Sequence, residues 1–312
     1  MLHRPPRTAD RQCRASHPVA SARAAYTLLE VLVVIAIMGV LTGLVMPAVQ
    51  RVRAASQRAE CLNKLKQVGL AAHAYHDTHR SLPPGCSYRN GADPQPHMSW
   101  LTRLLPYVEH EVLWREAVQA FEREKFFERP PHLPILGRVM PLFVCPADDR
   151  SQSAWDYPSF RVAFTDYLGV EGSSLSRSDG VLYVDSSVRF ADVSDGASGT
   201  LMAGERPPSV DHDLGWWYAG WGQLKTGSAE MTLGVRELRA HPRYWRCPGG
   251  PYAFEPVEVN NPCDVFQFWS FHRGGAHFLF CDGSVRFLTY PADPILPALA
   301  TRSGGEPVTI PD

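Results

Sequence analysis

Charge is scarce in this sequence. Its 31 Lys and Arg nearly cancel its 32 Asp and Glu, leaving a formal net charge of −1 over 312 residues. No global basic field would draw in nucleic acid, so a nucleic-acid partner is not expected. Charged residues make up 20% of the chain, below the usual share of about 25%. Seven cysteines are present (Cys13, Cys61, Cys86, Cys145, Cys247, Cys263 and Cys281), but no two form a CxxC pair. That spacing argues against a structural zinc site. P-loop, dinucleotide fingerprint and nucleophile elbow are also missing. Glu109-His110-Glu111 resembles the opening of a zinc-protease motif, but Trp114 stands four residues after His110, where a second histidine is needed. The expectation is a protein with no cofactor, no bound metal and no enzymatic activity.

The most informative scarcity is local. Between Glu30 and Arg51 no residue carries a charge, and the run is almost wholly apolar. A helix of about 20 residues crosses roughly 30 Å of hydrocarbon, and in lipid a helix satisfies its own backbone. Before the run stand Arg4, Arg7, Arg11, Arg14 and Arg23 against one acid, Asp10. That asymmetry predicts a single-pass protein of the inner (cytoplasmic) membrane, N-terminus cytoplasmic and the following domain periplasmic or otherwise extracytoplasmic. The run is too long for the apolar core of a secretory signal, and helical periodicity follows it. Glu30 is the anomaly. A carboxylate at the margin of a span costs about 2.5–3.5 kcal/mol on insertion scales and is a functional candidate for that reason.

Ala24-Ala25-Tyr26-Thr27-Leu28-Leu29-Glu30 and the apolar run after it resemble the N-terminus of type IV prepilins and type II secretion pseudopilins. The resemblance implies that a prepilin peptidase cuts a basic leader between Ala25 and Tyr26. It also implies that the new N-terminus is methylated and that Glu30 pairs with the amine of a neighbouring subunit. Ala25 departs from the family, which places Gly before the cut. Pro47 falls where pilin helices often carry a proline, which kinks a helix by removing a hydrogen bond.

After Pro47 the pattern Val52, Ala55, Ala59, Leu62, Leu65, Val68, Ala72, Tyr75 steps by threes and fours, as a helix with one buried face does. Pro83-Pro84-Gly85 ends it. Gly39 and Gly43 have the GxxxG spacing of close helix contacts, though small residues in apolar runs produce it often. His73, His76 and His79 recur every third residue, a spacing more typical of polar helix-end residues than of metal ligands. Residues 97–128 read as helical with a break at Pro106, and Val139–Cys145 as a short strand. With 27 Pro and 24 Gly, the rest favours turns and short strands. Asp-Gly at 179–180, 195–196 and 282–283 sits beside apolar runs, the strongest local hairpin signal, and the last is the cleanest. Cys247 and Cys263 flank a Pro/Gly-rich loop and are the first candidates for a disulfide.

His272, followed nine residues later by Asp282-Gly283, resembles the C-terminal H-X9-DG motif of DUF1559, a large planctomycete-type family of prepilin-like proteins. Cys61-Leu62-Asn63-Lys64-Leu65-Lys66-Gln67, Phe143-Val144-Cys145-Pro146, Asp195-Gly196 with Thr200, Gly204-Glu205 and Ala300-Thr301-Arg302 agree with it. Cys281 and Gly199 depart from the usual small residue and Asn. The resemblance implies a membrane-anchored protein with an outward domain. His272, Asp282, Glu205 and Asp195 are the tempting acid–base or cation set. Asp before Gly, however, is a turn residue first, so structural roles are expected for His272, Asp282 and Gly283. Trp216, Trp217 and Trp221 are candidates for a stacking surface, set against simple core filling.

The expected architecture is α+β and pilin-like: a basic leader over 1–25, a transmembrane and stalk helix over 26–80, and a β-rich extracytoplasmic domain over 81–312. The expected role is a pseudopilin-type structural protein of the cell envelope, assembling with itself or other pseudopilins in a type II secretion or pilus-like apparatus. The alternative is a tethered ligand- or glycan-binding module that forms no filament.

Overall fold

The computed structural model describes residues 27–88, 93–306 and 308–309. The fold is α+β, and the chain divides into two compact units at Arg51/Val52. Helix α1 (Leu28–His79) supplies the described part of the first unit and the opening of the second. Over residues 28–51 every side chain is exposed, including Val31, Leu32, Ile35, Leu41 and Val45. Positions Gly39 and Gly43 face open space. An exposed apolar surface of this length suits lipid.

From Val52 on, the chain builds a sheet covered on both faces. Short helices α2 (Trp100–Arg103), α3 (Glu111–Arg123) and α4 (Leu133–Leu136) come first. A two-stranded pair follows, β1 (Trp155–Asp156) with β2 (Arg161–Val162). The main sheet holds β3 (Tyr167–Gly172), β4 (Leu201–Glu205), β5 (Thr232–Gly234), β6 (Gly275–Phe280) and β7 (Val285–Thr289). Its order is β5-β3-β4-β6-β7, with only the β3–β5 pair parallel. Helix α5 (Leu296–Ala300) is the last helix among the described residues.

Strand alternation sorts side chains into two cores. Tyr167, Ala203 and Leu279 join Leu65, Val68 and Ala72 of α1 on one face. Leu168, Val170, Ala276, Phe278 and Phe280 join Leu296, Leu299 and Ala300 of α5 on the other. Strands covered on both faces read as continuous apolar runs, as β6 does with every residue buried. Gly69 sets the depth of the α1 contact, because a Cβ there would lie 2.7 Å from Leu279 Cδ1.

The predicted stripe on α1 holds for Leu65, Val68, Ala72 and Tyr75. It fails before them: Val52, Ala55 and Ala59 are exposed, and Cys61 rather than Leu62 is buried. The Cys61–Cys145 disulfide fixes that face. The 97–128 helix is broken by a 3-10 turn at Leu105–Val108, which ends on Glu109 at φ 64°. Val139–Cys145 is not a strand but contains a 3-10 turn, Pro141–Phe143. Its carbonyls are taken from elsewhere: Phe143 O by Asp166 N at 2.9 Å, Val144 O by Lys64 Nζ at 3.0 Å. The Asp179-Gly180 turn makes no strand pair, since Asp179 folds onto Ser173 N at 2.7 Å. The Asp282-Gly283 hairpin is present as expected, joining β6 to β7. So is the Cys247–Cys263 bridge.

Candidate functional site

A buried polar cluster lies where α1 crosses the sheet. Glu205 ends β4, and its carboxylate accepts the backbone N–H of His277 at 2.7 Å and meets His277 Nδ1 at 3.1 Å. His272 Nε2 stands 3.3 Å from the same carboxylate and 3.4 Å from Cys145 Sγ. Cys145 is joined to Cys61 of α1. Glu205 is 1% exposed. Burial pushes its carboxyl up, but hydrogen bonds from His272 and His277 outweigh burial and hold it at about 2.

Local sequence explains each position. His277 sits on β6 between Ala276 and Phe278, so alternation turns it toward α1. Its ring meets the edge of Phe287, over which the Arg58 guanidinium lies at 3.4 Å. Ser270 fixes the His272 turn: its Oγ donates to Gly275 O at 2.8 Å and accepts from His272 N at 3.1 Å. Cys145 N donates to Asp166 Oδ2 at 2.6 Å, and Ser151 Oγ donates to the same oxygen. Burial, then the neighbouring charge of Asp148, raises the Asp166 carboxyl well above its ordinary value.

The structure brings only part of the anticipated set together. His272 and Glu205 meet. Asp282 is on the hairpin turn, exposed, accepting Ser284 N at 2.8 Å. Gly283 beside it has φ 80°, which a side chain would strain. Asp195 accepts Gly304 N at 2.7 Å and Gly305 N at 3.0 Å. His277 and the Cys61–Cys145 pair were not singled out from sequence. Cys61 does fall beside the helical stripe, and His277 breaks an apolar strand, which are the signals that existed.

The aromatic cluster divides. Trp216 is 6% exposed and Trp217 fully buried, their indole N–H groups donating to His212 O at 3.0 Å and Arg138 O at 2.8 Å. Both are core side chains with no free face. Trp221 is half-buried against His97 and Phe127. The three α1 histidines point to separate partners: His73 to Cys281 O, His76 to Phe190 N, and His79 to Tyr75 O.

At the start of α1, Thr27 and Glu30 form a reciprocal cap. Thr27 N donates to Glu30 Oε2 at 2.8 Å, and Glu30 N donates to Thr27 Oγ1 at 3.3 Å. Ala25 and Tyr26, the expected cleavage pair, lie outside the described residues. The spacing Thr-x-x-Glu before an apolar run is a helix-start signature that the sequence displays.

Two family models match. One, described as a protein of unknown function (DUF1559), covers residues 50–294. The other, the prokaryotic N-terminal methylation motif, covers residues 20–46. No curated protein and no solved structure matches.

Proposed function

Because the chain belongs to the DUF1559 family and opens with a prokaryotic N-terminal methylation motif, we propose that it is a pseudopilin-type structural subunit of the cell envelope. The coarser part of this is plain: the protein is prepilin-like, with one N-terminal apolar helix fit to anchor it in a membrane. The finer part is assembly. In the proposed account a prepilin peptidase cuts between Ala25 and Tyr26, and the domain after the helix is periplasmic. The helix then packs with like helices in a type II secretion or pilus-like structure.

The observation that carries this is the first half of α1, an unbroken apolar surface whose single acid stands at its N-terminal end. A carboxylate placed there in low dielectric attracts a neighbour's free amine strongly and fixes register. The Thr27 cap keeps Glu30 occupied until such an amine displaces it.

Two differently tagged copies, expressed together and extracted in mild detergent, test the proposal. It predicts that one tag recovers the other, and that Glu30→Gln abolishes recovery while both copies stay in the membrane fraction. Copies that never co-purify would favour the tethered binding module instead.

A further inference from the structure

Four metal-ligating side chains from four separated stretches converge in the buried cluster. Cys61 Sγ, Cys145 Sγ, one Glu205 oxygen and one His272 ring nitrogen all lie within 4.8 Å of one another, and all four residues are buried. We propose that when Cys61–Cys145 is reduced these four residues form a tetrahedral site for a borderline divalent cation of the zinc type. Disulfide and metal are then alternative ways of fastening α1 to the sheet.

The donor chemistry fits. Two thiolates, one imidazole and one carboxylate make a complete four-coordinate set of the kind that zinc favours. His272 Nε2 lies 3.4 Å from sulfur and 3.3 Å from the Glu205 carboxylate, so one small cation between them touches all three kinds of donor. The surroundings are those of a ligand set rather than of an ordinary disulfide. Glu205 is oriented by the His277 N–H and Nδ1, and the backbone turn that carries His272 is fixed by Ser270 Oγ accepting from His272 N. Such outer contacts are what hold first ligands in place. Two thiols freed here would sit beside a buried carboxylate, and a divalent cation lets them ionise without adding net charge. Two thiolates, a carboxylate and the cation sum to the same single negative charge that Glu205 carries beside the disulfide. The ligands Cys61 and Cys145 are 84 residues apart, which is why a search for CxxC spacing passes over them.

The exchange balances. A dithiol donates two electrons and two protons to the disulfide, becoming a disulfide itself and leaving two thiols. Metal binding then releases those two thiol protons. Oxidation by a disulfide acceptor reverses both steps and expels the metal. A groove of about 460 Å³ bordered by Ala54, Gln57, Arg58, Ala147, His272 and Arg273 reaches the cluster at His272. Its two arginines favour the thiolate of an incoming reductant.

The test uses the full chain in detergent, reduced with a phosphine under anaerobic conditions and titrated with Co2+ as the spectroscopic probe. Expected are one equivalent bound, with thiolate-to-cobalt charge transfer and tetrahedral visible bands, and displacement by Zn2+. The bands disappear in Cys61→Ala/Cys145→Ala and persist in Cys247→Ala/Cys263→Ala. Glu205→Gln and His272→Asn lose tetrahedral character. His277→Asn, a positioning residue, weakens binding roughly tenfold or more. Circular dichroism confirms that each variant is folded. Three results would each overturn the proposal: a reduced, folded chain without the thiolate band, equal uptake by the Cys61/Cys145 variant, or a disulfide that resists the phosphine until the protein unfolds.

Discussion

Single residues set opposite pH dependences in this protein. Glu205 is raised by burial but lowered further by His272 and His277, to about 2 against an ordinary 4.5. The unfolded chain takes up this proton near 4.5 and the folded chain only near 2. Glu205 therefore contributes stability that is whole above 4.5 and lost as pH falls toward 2. Glu230 runs the other way, since burial pushes it up to about 8 despite a hydrogen bond from Trp216 N. Its contribution is whole below 4.5 and lost as pH rises through 8. Urea midpoints between pH 3 and 9 check both. Glu205→Gln should flatten the acid limb and Glu230→Gln the alkaline limb. At pH 7 Glu205→Gln should also cost on the order of 3 kcal/mol, because an amide leaves buried donors that the carboxylate accepts without a partner. Gly283 offers a third check. With φ at 80°, Gly283→Ala should cost about 1–2 kcal/mol in the same denaturation.

Elements show how much could be read in advance. The α1 helix, the Asp282-Gly283 hairpin and the Cys247–Cys263 loop were legible because each depends on neighbours in sequence. What depended on distant partners was not. The strand expected at Val139–Cys145 gave way to a 3-10 turn because its carbonyls are claimed by Thr165, Asp166 and Lys64. The face of α1 was displaced by one residue at Cys61 because a cysteine 84 positions later holds it. His272 and Glu205 were named from sequence, but their companion His277 was hidden inside a strand buried on both faces. The two disulfides should differ in worth. Chain-entropy arguments assign about 3 kcal/mol to the Cys247–Cys263 loop of 16 residues and about 4.5 kcal/mol to the Cys61–Cys145 loop of 84. Guanidinium unfolding of Cys247→Ala/Cys263→Ala and Cys61→Ala/Cys145→Ala measures this, with the second pair expected to be the less stable.

At the scale of the molecule, an apolar helix and a two-faced sheet domain answer different solvents. The helix through Val49 leaves its large apolar side chains bare, whereas the domain buries a core on each side of its sheet. Membranes washed with alkaline carbonate should retain the protein, and detergent should release it. Recovery in the carbonate wash would mean that residues 28–49 do not insert.

The proposed account turns most directly on the native N-terminus, because only a cut before Tyr26 frees the amine that Glu30 is proposed to receive. Intact mass spectrometry of the protein purified from its own membranes reads this in one measurement. The account predicts a chain that begins at Tyr26 and carries one added methyl group. A mass that includes the arginine-rich leader through Ala25 in all of the protein would contradict it.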